Sequence, residues 1–352
     1  MRNGCIAFVV VLCSAAPVTA AEAKRTALDD AIDKALLYLH RTQDKNDGSW
    51  KAGRGGSNPA VTGLAVMAFL SAGHVPGEGR YGETVEKGIR WVLRAQQSSG
   101  LIATEGGHEM YHHGICTLML AEAAGMTEGK LAEEVKQKLE KAVAVVLKAQ
   151  RTKGADKGGW RYRVAEVDGS DISVTGWQLM SLRAAKNLGC DVPPESIERA
   201  VEYIKRCQDS GTGGFRYHPG AQVTVACTGT SILGLEICGK QQSRSEEALK
   251  AVGYLLKNPP QWASRERHLF YSIYYCSQAT FQLGGNYWNS YRQQLHEVLL
   301  PNQGSNGSWQ GPDSDSQIYG SNYCTAMGIL ALTVEYRFLP IYQRDEGLKD
   351  KK

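Results

Sequence analysis

Beyond its first twenty residues, this 352-residue chain has no run of 18 consecutive apolar residues, so it offers no segment of the length that crosses a bilayer. It also lacks any long basic stretch. Forty Lys and Arg against 36 Asp and Glu leave a formal charge of +4, which excludes a nucleic-acid footprint. Polar tracts are confined to 241–246 and to the charged tail 345–352, both read as solvated linker or tail. With 42% hydrophobic and 22% charged residues, the remainder has the balance of an ordinary folded domain that buries a sizeable core. The exception is the N-terminus. Arg2 precedes an apolar stretch over 6–12, and Val18, Thr19 and Ala20 place small residues at a cleavage position. That layout predicts a signal peptide over 1–20, a domain over 21–344, and an extracytoplasmic protein, periplasmic or secreted. Cleavage would leave seven of nine cysteines, an odd number, so disulfides alone cannot account for them.

What the chain has is repetition. Six times, at spacings of 48 to 58 residues, an apolar run opens on valine or cysteine followed by a hydroxyl residue. The hydroxyl residues are Thr62, Thr117, Thr175, Thr228, Ser277 and Thr325. Between these runs lie more charged segments with one apolar stripe, such as Leu28, Ile32, Leu36 and Leu39. A period near 50 residues means an array of one supersecondary unit. Atypical capping repeats, which an open solenoid requires, are missing at both ends. The sequence therefore predicts an all-α double ring, six apolar helices inside six charged ones. Most charged segments end in glutamine followed by glycine and an aromatic, as in Gln43…Gly48-Ser49-Trp50 and Gln150…Gly158-Gly159-Trp160. The fifth copy departs from this, with Asn258-Pro259-Pro260-Gln261-Trp262.

The segment Lys34-Ala35…Tyr38-Leu39…Gln43…Gly48-Ser49-Trp50 resembles the glutamine–tryptophan repeat of the terpenoid cyclase and protein prenyltransferase superfamily. Lys87-Gly88…Trp91-Val92…Gln96…Gly100 is a second copy, and the resemblance runs over residues 27–340. It implies an (α/α)6 toroid with a central cavity at the N-terminal ends of the inner helices. It also exposes two absences. The cyclase acid motif aligns on Asp171-Ile172-Ser173-Val174-Thr175-Gly176, where Ser173 replaces the proton donor, and a serine hydroxyl cannot protonate an alkene. The prenyltransferase zinc set keeps its cysteine at Cys227, but Val225 replaces the aspartate and Cys276 or Cys324 stands where histidine is expected.

Two constellations remain. By that resemblance the residue before each hydroxyl faces the cavity, which places Cys116, Cys227, Cys276 and Cys324 at one level, the last three on consecutive helices. Zinc there is the one metal expected, and no other cofactor. One turn before the hydroxyl stand His113 and Asp171, a candidate acid–base pair with His112 and Asp168 beside it. Glu105, Glu109, Ser173, Trp177, His218, Tyr271, Tyr274, Tyr319 and Tyr323 are expected to line the cavity. The foremost functional expectation is a toroid binding an apolar or isoprenoid-like small molecule. A glycan hydrolase or lyase using Glu105 or Glu109 against Asp168 or Asp171, and a scaffold for a protein partner, are the competitors.

Overall fold

The structure, a computed structural model, describes residues 25–104, 108–165, 169–239, 244–262 and 268–343. The expected signal peptide, the charged tail, and Glu105 and Asp168 fall outside the described residues. Among the described residues, twelve α-helices alternate in character: α1 (Ala27–Thr42), α2 (Pro59–Ser71), α3 (Gly82–Ala95), α4 (Glu109–Ala124), α5 (Gly129–Ala149) and α6 (Ile172–Asn187) come first. They are followed by α7 (Pro194–Arg206), α8 (Val225–Cys238), α9 (Glu246–Lys257), α10 (Leu269–Leu283), α11 (Gly285–Leu299) and α12 (Ser314–Leu332). Odd-numbered helices are one-sided. In α3, Val85, Ile89, Val92 and Leu93 are buried while Glu83, Lys87, Arg90 and Arg94 face water. Even-numbered helices are buried on every side, as in α2 from Val61 to Ser71. A helix apolar all round has to lie inside. Each even helix packs on the next, and α12 packs back on α2, so the inner ring closes. The expected (α/α)6 toroid is the fold. The sixth outer helix starts at Gly285, six residues ahead of the start its apolar stripe indicates.

The glutamines join neighbouring outer helices. Gln43 Nε2 donates to Gly48 O (2.9 Å) and to Thr84 O of α3 (2.8 Å). Gln96, Gln150 and Gln208 repeat this toward Lys138 of α5, Ser196 of α7 and Glu247 of α9. Gln303 closes the circle on Ala31 of α1 (2.8 Å). In the fifth copy Asn258 donates to Tyr254 O within its own helix, so no such tie is found between α9 and α11 among the described residues. The partner glycine is obligatory: Gly158 has φ +100°, and a Cβ there would stand 2.0 Å from Arg199 O. Gln150→Ala leaves Gly158 O without a donor, removes the tie to Ser196 O of α7, and strips Arg199 of its amide partner. Urea unfolding of that variant should show a loss of about 2 kcal/mol; an unchanged midpoint would refute the tie.

Candidate functional site: the mouth and lumen of the toroid

In four of the six repeats the hydroxyl that opens the inner helix holds the loop above it. Thr62, Thr175, Thr228 and Thr325 accept from the backbone N–H of Trp50, Trp160, Phe215 and Trp309 at 2.9–3.1 Å. The indole N–H of Trp50, Trp160 and Trp309 then donates to a carbonyl of the preceding outer helix. The second repeat has Ile102 in place of the aromatic. There His113 takes over both tasks. Its Nδ1 accepts from Ile102 N (3.1 Å) and its Nε2 donates to Ala142 O of α5 (3.0 Å). Thr117 turns back onto His113 O (2.7 Å). Burial pushes the His113 imidazole down to about 4, so the ring is neutral at pH 7.

This corrects the expected acid–base pair. His113 and Asp171 do not meet, because both imidazole nitrogens are spent on backbone and the Asp171 carboxylate is spent on its own helix and an arginine. Asp171 is the N-cap of α6, with Oδ1 accepting from Val174 N (2.8 Å) and Oδ2 pairing Arg161 (3.2 Å). Burial raises its carboxyl to about 6, opposed by the Val174 hydrogen bond and the Arg161 charge. Arg161 lies over the rings of Tyr162 (4.6 Å) and Tyr217 (5.4 Å), whose hydroxyls bond each other. His108 packs on Tyr162 at 4.9 Å. His112, half-buried, accepts from Thr104 N (3.3 Å) and reaches Asn58 at 3.4 Å; burial brings it down to about 4 as well.

On the first turn of α6 the Ser173 hydroxyl accepts from Tyr111 (2.7 Å) and donates to Tyr271 (2.9 Å), joining α4, α6 and α10 across the mouth. One turn further in, Trp177 stacks on Tyr274 (5.5 Å between centroids, 8° between planes) and meets Tyr275 edge-on at 5.2 Å. Aromatic residues from α6 and α10 thus pack against one another below Ser173. Tyr319 and Tyr323, 5.4 Å apart, stand on the α12 side. Glu109 lies half-buried in the first turn of α4. His218 is corrected: it is exposed on a loop, its Nδ1 against Pro219 O, and lines nothing.

The cysteine ring is corrected too. Cys116 Sγ points to Pro59 O on α2 and Cys276 Sγ to Val225 O on α8, so these thiols fill seams between inner helices. Burial raises Cys227 to about 12 and Cys324 to about 11. Among the described residues no three His, Cys, Asp or Glu side chains come together as metal ligands, and the seven cysteines there form no disulfide.

Two residues escaped the sequence reading. Glu122, alone in the apolar run Leu118–Ala124, is 1% exposed. Its isolation was the available signal. Tyr342 carried none, because its partners are far away in sequence.

The sequence over 157–256 matches the prenyltransferase alpha-alpha toroid domain family. No curated protein matches the chain. Among solved structures, it is similar to the type II terpene cyclase MstE from Scytonema, at 16% identity and a TM-score of 0.60, over 89% of this chain and 99% of that one. It is similar also to the alpha-1,6-mannanase GH76A from Salegentibacter sp. HEL1_6, at 10% identity and 0.64, over 88% and 99%. A D-mannose isomerase shares 12% identity and a TM-score of 0.60 over 92% of this chain and all of its own. Likeness at these identities is likeness of fold. The closed double ring of helices, with the family match over 157–256, makes the chain an α/α toroid.

Proposed function

We propose that this toroid binds an amphipathic, isoprenoid-like small molecule, its polar end at the mouth and its apolar part toward the lumen. The observation that carries the reading is Ser173. Its hydroxyl bridges Tyr111 and Tyr271 directly above the stacked Trp177 and Tyr274. A polar crossbar over an aromatic floor matches a molecule with a hydroxylated head and an apolar body. Ser173 stands where the resembling cyclases carry their proton donor, which favours binding over alkene protonation. The family match over 157–256 and the fold shared with a terpene cyclase support the same ligand class. Export to an extracytoplasmic compartment, proposed on residues 1–20, would make a membrane-derived lipid the accessible source.

Native mass spectrometry of the purified chain tests this, with farnesol added as a probe. A retained lipid or a farnesol adduct is the expected result, with Ser173→Ala weakening farnesol about tenfold through loss of one buried hydrogen-bonded group. A bare polypeptide mass at saturating farnesol would sink the reading.

A glycan is the second reading, favoured by one observation: Tyr162 and Tyr217, half-exposed and held by Arg161, present aromatic surface at the rim. The mannanase GH76A of Salegentibacter sp. HEL1_6 has been seen in complex with alpha-1,6-mannotriose. Titration with that trisaccharide, lost in Tyr162→Ala, would move the proposal there.

A further inference from the structure

The far end of the lumen is closed by a short segment of the chain itself. After α12 the backbone forms a 3-10 turn at Val334–Tyr336, crosses the base of the ring and forms a second at Pro340–Tyr342. Leu339, Ile341 and Tyr342 are buried there, while Phe338, just before them, is 47% exposed. The segment touches three inner helices. Pro340 packs over Gly125 at the end of α4, the turn packs on α6, and Tyr342 OH meets Tyr274 OH of α10 at 2.7 Å. Tyr342 is thereby hydrogen-bonded to the tyrosine that stacks on Trp177. Its other polar ties are long: Ile341 N to Glu122 Oε2 at 3.4 Å, and Gln282 Nε2 to Tyr342 O at 3.5 Å.

Glu122 is the anomaly. It is a carboxyl buried in an apolar ring, and its second oxygen, Oε1, has no hydrogen-bond partner among the described residues. Such a group costs free energy unless something pairs with it. The titratable groups facing it are Tyr274 from α10 and Tyr342 from the segment, and no cation faces it from either.

We propose that 339–343 is a displaceable plug on a second, base-side opening of the lumen, and that Glu122 is the polar anchor which a ligand's hydroxyl takes over when the plug leaves. This rests on the lumen being the ligand site. It adds the route of access and the group that selects a hydrogen-bond donor at that end. A protonated Glu122 tolerates the closed plug. Ionised, it is left between two tyrosines with one orphaned oxygen, and opening the plug returns it to water. Burial holds the carboxyl up at about 8, against 4.5 for an exposed glutamate. An acid raised in the closed state favours closure below pH 4.5 and progressively loses that advantage as pH rises to about 8.

Amide hydrogen exchange on the full chain tests the plug without any ligand. The probes are the N–H groups of Tyr342, which bonds Leu339 O, and Gln343, which bonds Pro340 O. After correction for intrinsic exchange, their protection should fall up to tenfold per pH unit between about 5 and 8. In Glu122→Gln it should stay flat. Protection independent of pH in the wild type, or equally pH-dependent in Glu122→Gln, overturns the device. Farnesol binding to Tyr342→Ala is the second arm, expected at least tenfold tighter than to wild type because the buried Tyr342 side chain no longer closes that end. Equal affinity in both proteins overturns the base-side opening. If neither binds farnesol, the lumen reading fails, and the exchange profile still decides the plug separately.

Discussion

His113→Ala should lower the unfolding free energy by about 4 kcal/mol, with the loss appearing as instability and not as a missing catalytic step. The size follows from three additive consequences at one fully buried position. The ring volume becomes a void between α4 and α5. Ile102 N–H loses its acceptor, and Ala142 C=O, inside α5, loses its side-chain donor. No water reaches these groups, because His113 has no exposed surface. His113→Asn, able to keep one of the two hydrogen bonds, should fall between alanine and wild type. Guanidinium unfolding at pH 7 measures both. Wild-type stability in His113→Ala would remove the structural assignment and return the residue to the list of catalytic candidates.

The same histidine gives the protein an acid sensitivity of known sign. Its folded value near 4 lies below the usual 6.5, so the native state keeps it neutral while the unfolded chain is protonated below 6.5. The unfolded state then binds the extra proton between those limits, and stability falls as pH drops from 6.5 toward 4 by about 3 kcal/mol for this one group. His112 acts in the same direction. Glu122 acts in the opposite one, because its raised carboxyl loses stability as pH rises from 4.5. The wild-type profile is therefore a sum. The clean readout is the difference between wild type and His113→Asn, expected to change by the slope of one proton between pH 4 and 6.5.

How far the sequence led depends on how local the determinants are. The fold was legible because each repeat states its own parts: an apolar helix, a charged helix, and a Gln…Gly…aromatic corner that Gln43, Gln96, Gln150, Gln208 and Gln303 close in the same way. The candidate site was legible only as a list. Ser173 was visible as a departure from a cyclase motif, but its bonds to Tyr111 and Tyr271 join residues 62 and 98 positions away, which no periodicity reveals. His113 misled for a specific reason. Chemistry-bearing residues in a repeat invite a functional reading, yet this one substitutes for the Thr–Trp pair that the second repeat lacks. The cysteines misled through the assumption that the position before each hydroxyl faces the axis, whereas Cys116 and Cys276 show that it faces the neighbouring helix.

Closure of the ring at the mouth depends on two glycines that interlock, and Gly320→Ala is expected to cost about 3 kcal/mol. Gly320 interrupts α12 with φ 76° and ψ −176°, a conformation essentially reserved for glycine. A Cβ there would stand 2.7 Å from Gly53 Cα in the first repeat's loop. The reverse contact is tighter still: Gly53, at φ +51°, would place a Cβ 2.3 Å from Ile318 O, and its N–H donates to Tyr319 O at 2.7 Å. Asn322 ties the same place, accepting from Thr42 (2.8 Å) and donating to Lys51 O (3.1 Å). The kink of α12 at Gly320 is thus pinned to repeat one, and Tyr319 and Tyr323 take their places at the mouth from that pinning. Gly53→Ala should cost a similar amount. The double variant should cost less than the sum, since either methyl alone already parts the two backbones. Urea unfolding of the three variants decides it: additive losses would mean two independent turns, and a coupled loss would mean that the ring closes, and the α12 side of the mouth is built, through one glycine-to-glycine contact.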